Sequence, residues 1–433
     1  MENLDYARLQ MAFTLGFHII FACIGMVMPF FMVVSHKKWL NTRKPVYLNL
    51  TKAWQRGVAI FFVTGAVSGT ALSFELGMLW PEFMKHAGPV IGMPFSLEGA
   101  AFFVEAIALG FYLYGWDKLP ETFHWITGII IGISGVASGI LVVSANAWMN
   151  APAGFEVING EFVNIDPVAA FLNDAWFTQA LHMTLAAFAA TGFAVAGIHA
   201  YQILKNRRPG MHKAAFKIAI FFGAVAALLQ PISGDLSAKD VAERQPVKLA
   251  AMEAHYETTT GAPLYIGGIV DEENKSVSHK IEIPKALSFL AFGDFDAEVK
   301  GLNDFPEDEL PPVAIVHYAF QIMVGIGSLL VIAALIFFIS LKKKSWWNNR
   351  KFWWFFAALS PLGFIAVEAG WVVTEVGRQP WIVHKIMRTS EAVTPMPGMK
   401  YSFYLYVAVY ITLAITVTWL MKRQIRVLNQ SND

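Results

Sequence analysis

Nine long apolar stretches constrain the fold of this 433-residue chain more than any other feature of its sequence. Each stretch is close to, or longer than, the roughly 20 residues that an α-helix needs to cross a bilayer. The stretches lie near 11–35, 52–75, 94–115, 123–145, 176–203, 214–233, 313–341, 352–375 and 401–421. The pattern predicts an all-α integral membrane protein with about nine transmembrane helices.

Basic residues cluster in alternate loops of this predicted bundle. Lys and Arg are concentrated in 37–52, 205–213, 342–351 and the tail 422–426. Because cytoplasmic loops carry an excess of Lys and Arg, the alternation predicts an N-terminus outside and a C-terminus in the cytoplasm. The outer loop 376–400 departs from the rule, since it contains four basic residues.

One connection is much longer and more polar than the others. Residues 234–312 lie between the sixth and seventh predicted helices, on the outer side by the same reasoning. A long connection in a compact protein is usually functional. We therefore divide the chain into helices 1–6 (1–233), an extracytoplasmic loop (234–312) and helices 7–9 (313–433).

The amino-acid composition, the net charge and the cysteine count exclude several classes of protein and cofactor. The sequence is 56% hydrophobic and 15% charged, whereas soluble domains carry about 25% charged residues. A net charge of +1 predicts no nucleic-acid partner. The single cysteine, Cys23, excludes Cys-ligated iron–sulfur clusters and covalent CxxCH haem attachment. Any haem must be held non-covalently.

Three side chains inside the apolar stretches are candidate metal ligands. His18 and His182 lie at similar predicted depths below the outer surface, and Met323 lies on the same side. A His/Met pair is a known axial ligand set for haem iron. A lone intramembrane histidine is equally well explained by a hydrogen bond to a neighbouring helix, and a lone methionine usually packs.

Carboxylates form two stripes within the predicted helices. Glu98 and Glu105 are seven residues apart, as are Glu368 and Glu375, so each pair lies on one helix face. Buried acids at this depth suggest proton conduction or cation binding, with helix association as the alternative. Arg378 follows Glu375 by one turn, a spacing that an ordinary surface ion pair also explains.

Six segments together resemble subunit I of the cytochrome bd quinol oxidases, and the similarity runs essentially from end to end. The segments are RLQMAFTLGFHIIFA, PFSLEGAAFFVE, SANAWMNAP, KLAAMEAHYET, QIMVG and GWVVTEVGRQPW.

The resemblance implies three haems in a bacterial or archaeal-type cytoplasmic membrane. His182 and Met323 would ligate a low-spin haem b. His18 and Glu375 would each ligate one of two high-spin haems, b and d, with a b-type haem in place of haem d as an open alternative. Trp371 would lie beside the high-spin haems.

The resemblance also implies roles for polar residues. Glu98 and Glu105 match the proton-conducting acids of the family, and Arg378 and Arg8 match positions near haem propionates or ligands. Lys248 and Glu253 match positions linked to quinol oxidation. A solvated amphipathic helix is the alternative for that last pair.

The implied function is oxidation of quinol at the outer face and reduction of O2 to water, generating a proton motive force without a pump. A second membrane subunit, subunit II, is the implied partner, and a small single-helix subunit is a further candidate. Gln321 stands where some members of the family have Arg, and the outer loop is of the short kind found in the family. These two departures leave the quinone type open. The alternative function is a haem-free, cation-coupled transporter.

Overall fold

The computed structural model describes residues 3–430. Within that range nine helices are long and apolar enough to span a membrane, which confirms the predicted fold class. In chain order the α-helices are α1 (Asn3–Thr42), α2 (Pro45–Leu79), α3 (Pro81–Tyr114), α4 (Glu121–Asn150), α5 (Pro167–Phe171), α6 (Trp176–Leu204), α7 (Pro209–Arg244), α8 (Pro246–Glu253), α9 (Ala286–Phe292), α10 (Val313–Lys342), α11 (Arg350–Ala358), α12 (Leu362–Val376), α13 (Thr389–Ala392) and α14 (Met399–Gln430).

The sixth span is longer than the sequence predicts. Helix α7 continues past the expected boundary at 233 and ends at Arg244. Ion pairs one turn apart, Asp235 with Lys239 and Asp240 with Arg244, stabilise this polar extension. Hydropathy could not detect it, because the added turns are not apolar. The helix therefore continues about three turns past 233, into the segment that the sequence assigns to the outer loop, and the boundary of that loop at 234 stays a prediction.

The eighth span is interrupted. Helix α11 ends at Ala358 and α12 begins at Leu362, with Pro361 between them. Proline has no N–H for the helical ladder and disfavours helical geometry in the residue before it. The Ser360 hydroxyl donates to the Ala194 carbonyl oxygen of α6 at 2.9 Å, which ties the interruption to the bundle.

The loops carry short antiparallel two-stranded sheets. These pair β1 with β2, β3 with β8, β4 with β7, β5 with β6 and β9 with β10. The strands are β1 (Glu156–Ile158), β2 (Glu161–Val163), β3 (Thr259–Thr260), β4 (Leu264–Ile266), β5 (Ile269–Asp271), β6 (Ser276–Ser278), β7 (Ile281–Ile283), β8 (Glu298–Val299), β9 (Trp381–Val383) and β10 (Met387–Arg388). Six of them, β3 to β8, give the long outer segment its order.

The helices pack most closely as the pairs α1–α2, α3–α4 and α6–α7. At the α6–α7 crossing a Cβ added to Gly192 would lie 2.5 Å from the Gly223 Cα, so neither position accepts a side chain without movement. Small residues at such crossings let helices approach within a membrane, where packing drives association. The remaining interior between α1, α2, α3, α4 and α12 is not filled by side chains.

Candidate active site

A cavity of about 830 Å³ occupies the space between these five helices. This volume is in the upper part of the range of roughly 300–1,000 Å³ that is typical of ligand pockets. Seven of the predicted site residues line it: Arg8, His18, Glu98, Glu105, Trp371, Glu375 and Arg378. The structure thus brings together side chains from α1, α3 and α12 that are far apart in sequence.

The hydrogen bonds of His18 leave one ring nitrogen available as a ligand. Its Nδ1 lies 2.9 Å from the Ser68 Oγ, and that hydroxyl donates to the Thr64 carbonyl oxygen at 2.9 Å. In the tautomer in which the Ser68 proton goes to the Thr64 carbonyl oxygen, His18 Nδ1 carries the proton that it shares with Ser68. The Nε2 atom of His18 then keeps its lone pair, which is the form that binds iron.

His182 on α6 repeats this arrangement outside the cavity lining. Its Nδ1 lies 3.1 Å from the Ser233 Oγ, which donates to the Gln230 carbonyl oxygen at 3.0 Å. The Nε2 atom is again the acceptor, and here the Gln230 side-chain amide lies 3.1 Å from it. Both predicted ligand histidines therefore contact a serine of the neighbouring helix through Nδ1.

Met323 packs against a glycine of α12. Its sulfur lies 3.0 Å from the point that a Cβ on Gly370 would occupy, so Gly370 leaves room for the thioether. The next residue, Trp371, lines the cavity, and its buried Nε1 has no hydrogen-bond partner in the described residues. Met323 and the cavity are thus separated by little more than the backbone of α12. His182 and Met323 lie on α6 and α10, which both pack on α7.

The Glu375 carboxylate is fixed from two sides. Arg378 Nη2 donates to one oxygen at 2.5 Å, and the Asn146 side-chain amide donates to the other. Arg378 is only 3% exposed, and its second amino group, Nη1, has no partner in the described residues. The guanidinium of the ion pair is therefore buried, while the Glu375 side chain stays 28% exposed and lines the cavity. The Nη1 amino group of Arg378 can therefore donate to a further anion at the cavity wall.

The carboxylates of α3 differ in exposure. Glu98 is half-buried and accepts a hydrogen bond from Ser138 at 3.1 Å. Glu105 is 7% exposed, and its oxygens lie 3.6 Å from the point that a Cβ on Gly135 would occupy. Both line the cavity on the side away from Glu375 along α3 and α4. The spacing of seven therefore gives a carboxylate path from the cavity toward the opposite end of α3.

Lys248, at the first turn of α8, is buried beside the Glu375–Arg378 pair. It is 5% exposed, and its ammonium group donates to the Asn150 side-chain oxygen at 2.7 Å. Burial, and then the charge of Arg378, lower the pKa of Lys248 to about 7. The expected alternative of a solvated helix is therefore wrong for this residue.

Glu253, the last residue of α8, is also buried but lies away from Lys248. It is 3% exposed, and its Oε2 has no hydrogen-bond partner in the described residues. Burial raises the pKa of Glu253 to about 8. Five residues of α-helix turn the direction of a side chain by roughly 140°. The structure thus separates the two residues that the sequence grouped together as one quinol-binding pair.

Sequence reasoning missed the residues that orient the candidate ligands. Ser68 and Ser233 hold the histidines, while Asn146 and Asn150 hold Glu375 and Lys248. Two asparagines four residues apart near the end of an apolar helix, in SANAWMN, are a signal that could have indicated paired polar contacts. The serines gave no such signal, because each acts across a helix pair separated by about fifty residues.

The donor set suits haem rather than a bare metal ion. No group of three or more His, Cys, Asp or Glu side chains able to hold a metal occurs in residues 3–430. Haem iron needs only one or two protein ligands, and the site offers imidazole, thioether and carboxylate groups singly. The largely apolar cavity and the Arg378 Nη1 group, which has no partner in the described residues, also fit a porphyrin with acidic side chains. The fold and site define a membrane-embedded haem protein.

Comparison with known proteins identifies the family. The model of cytochrome bd terminal oxidase subunit I matches residues 6–428, and this chain belongs to that family. It is a multi-pass membrane subunit of a terminal oxidase, a class that carries haem and includes at least one further subunit.

The similar proteins span the whole chain. A Bacillus subtilis relative, whose assignment as a cytochrome bd menaquinol oxidase subunit I is itself provisional, is 36% identical over 97% of this chain and 96% of its own length. Cytochrome bd ubiquinol oxidase subunit 1 of the same organism is 30% identical over 98% and 94%. The bd oxidase structure from Geobacillus thermodenitrificans superposes with a TM-score of 0.93 at 38% identity, covering 98% of both chains.

Proposed function

We propose that this chain oxidises quinol at the outer face of a bacterial cytoplasmic membrane and reduces O2 to water, in complex with a second membrane subunit. The observation that carries the proposal is the single cavity in which His18 and Glu375 meet the carboxylates Glu98 and Glu105. Candidate iron ligands and candidate proton carriers share one largely apolar cavity. The family membership favours this function over a cation-coupled transporter.

Each ligand-type residue has a proposed place. His182 and Met323 hold the low-spin haem b, and His18 and Glu375 each hold one high-spin haem, b or d. Bound haem supplies one-electron transfer and oxygen reduction. The serine contacts orient both imidazoles, while Arg378 and Asn146 orient the Glu375 carboxylate. Trp371 lies between Met323 and the cavity.

Proton chemistry is divided between the two ends of the bundle. Glu98 and Glu105 carry protons from the cytoplasm to the cavity, while Glu253 lies on the predicted outer side, where quinol protons are released. Because protons are consumed from the cytoplasm and quinol protons are released outside, the reaction separates charge without a proton pump. Relatives are named for both menaquinol and ubiquinol, so the proposal extends to quinols as a class.

A redox spectrum together with oxygen uptake tests the function directly. The purified chain with its partner subunit is expected to show haem bands in the reduced-minus-oxidised spectrum and quinol-driven O2 uptake on the same sample. Bands of both b and d haems support the full proposal, and b bands alone support the variant with only b-type haem. A colourless preparation from cells with confirmed haem supply would contradict it.

The pKa of Glu253 predicts a pH dependence for quinol oxidation. A carboxyl whose pKa is about 8 is mostly protonated at pH 7 and becomes a base as the pH rises through 8. Quinol-driven O2 uptake should therefore rise between pH 7 and 9, and Glu253→Gln should abolish that rise and lower activity at pH 9 by roughly tenfold or more. Glu257→Gln removes an exposed carboxylate nearby and is the matched control. An unchanged pH profile in Glu253→Gln would remove this residue from the quinol site.

A further inference from the structure

Three buried ring side chains form a hydrogen-bonded cluster at the end of the bundle that the basic loops predict to be cytoplasmic. The Tyr112 hydroxyl of α3 lies 2.8 Å from His36 Nδ1 of α1, and His124 Nε2 of α4 donates to the Tyr112 carbonyl oxygen at 2.8 Å. His36 and Tyr112 have no exposed surface, and His124 is 2% exposed. Sequence reasoning gave these histidines no role, because they lie near helix ends rich in basic residues.

Tyr112 continues the carboxylate stripe of α3. It follows Glu105 by seven residues, as Glu105 follows Glu98, so all three side chains leave the helix on nearly the same face. Helix α4 has two glycines at the same spacing of seven residues, Gly128 and Gly135, and they face Tyr112 and Glu105. A Cβ on Gly135 would meet the Glu105 oxygens at 3.6 Å, and a Cβ on Gly128 would lie 2.7 Å from the Tyr112 ring. The α3–α4 contact is thus shaped around these two side chains.

One polar atom of the cluster has no partner. His36 Nε2 is buried and makes no hydrogen bond within the described residues. A cluster that served only to lock three helices together would satisfy both ring nitrogens, because a buried polar atom without a partner costs free energy. An imidazole with one nitrogen on a hydroxyl and the other free can instead accept a proton at the free nitrogen and pass one on through the bonded nitrogen.

The charged groups near the cluster are engaged with partners other than His36. The exposed Glu121 carboxylate at the start of α4 pairs with Arg43 at 2.6 Å, so its charge is balanced at the surface. Two lysines near the cluster, Lys37 and Lys52, lie over the rings of Trp125 and Trp116 rather than against the imidazoles. No described cation forms an ion pair or hydrogen bond with His36.

We propose that His36 and Tyr112 form the entry of the proton route that leads to Glu105 and the cavity. The inference rests on the oxidase function proposed above and extends its proton path to the cytoplasmic end. A proton taken up at His36 Nε2 leaves from Nδ1 to the Tyr112 hydroxyl and then crosses two turns of α3, about 10 Å, to Glu105. The transfer over that distance requires water molecules between the two side chains. The step transfers a proton only and changes no covalent bond.

Tyr112→Phe is the sharpest test, because it removes one oxygen and keeps the ring that packs on Gly128. In the complete oxidase with its partner subunit, reconstituted in liposomes, we expect quinol-driven O2 uptake to fall roughly tenfold or more. The haem spectrum should stay unchanged, and the solvent deuterium isotope effect should increase. Tyr114→Phe is the matched control, since that tyrosine is 76% exposed near the same end of α3 and should behave as wild type.

Failure of the inference can be separated from failure of the proposed function. If the wild-type complex does not oxidise quinol with O2, the function itself is wrong. If the wild type is active and Tyr112→Phe matches it in rate and isotope effect, the relay is wrong. His36→Gln gives a second reading, because it keeps a polar side chain but cannot relay a proton between two ring nitrogens. Normal turnover in a fully haem-loaded His36→Gln complex would also overturn the relay.

Discussion

Replacing His182 with alanine is expected to remove the low-spin haem band from the redox spectrum and to reduce quinol-driven O2 uptake at least about a hundredfold. The physical reason is the loss of an imidazole whose Nδ1 contacts Ser233 and whose Nε2 is the acceptor atom that the Gln230 amide contacts. Methionine alone is a weak axial ligand, so the remaining Met323 should not retain the haem. The measurement is the reduced-minus-oxidised spectrum of membranes with matched protein content.

A graded variant separates ligand loss from general damage. Ser233→Ala leaves His182 in place but removes the group that fixes its tautomer. Loss of such an orienting contact typically lowers metal affinity by about 10- to 100-fold. We therefore expect partial haem occupancy that improves when haem is supplied in excess. Ser237→Ala, one turn further along α7 and without contact to His182, should leave the spectrum unchanged.

Two results would contradict the ligand assignment. An unchanged low-spin band in His182→Ala would assign that haem to another residue. Equal losses in Ser233→Ala and Ser237→Ala would show that the α6–α7 packing, rather than the serine–histidine contact, determines haem binding. His279→Asn, which changes a histidine on the outer segment, controls for histidine replacement in general, because asparagine tolerates the left-handed backbone found there.

The spanning helices were predictable from sequence because hydrophobic length alone specifies them. Their polar continuations were not. Helix α7 extends to Arg244 through charged turns that lie beyond any apolar window. The interruption at Pro361 was visible in sequence, but apolar residues on both sides of it gave a continuous hydropathy signal. Hydropathy therefore predicts the length of the apolar segment that spans the membrane, but not the full length of the helix that contains it.

The site was predictable in part, for a similar reason. Carboxylates and histidines are rare in apolar helices, so composition alone singled out His18, Glu105 and Glu375. Which of them share a space depends on helix packing, and only the structure shows that the three line one cavity. The resemblance linked Lys248 and Glu253 to quinol oxidation, and five residues of helix direct them to different sides of α8, which the resemblance alone did not indicate. The Tyr112–His36 contact joins residues 76 positions apart and had no local signature.

Glu105→Gln is expected to slow O2 reduction about a hundredfold while leaving the haem content near that of the wild type. Glutamine matches the size of glutamate and can occupy the space beside Gly135, but it cannot gain and lose a proton. Glu98→Gln should have a smaller effect, since Glu98 is half-buried next to Ser138 and water can replace it. Oxygen uptake and the redox spectrum, measured on the same samples, separate catalysis from cofactor loss.

The Glu105→Gln test has a matched control on the same helix, and its result can be compared with that of Tyr112→Phe. Glu82→Gln changes an exposed acid at the other end of the same helix, paired with Lys85, and should not alter turnover. If Glu105 carries protons, its glutamine variant should keep electron entry from quinol to the haems while losing O2 turnover, and its defect should not add to that of Tyr112→Phe, since both lie on one route. Additive defects, or unimpaired turnover in Glu105→Gln, would mean that the protons reach the cavity by another path.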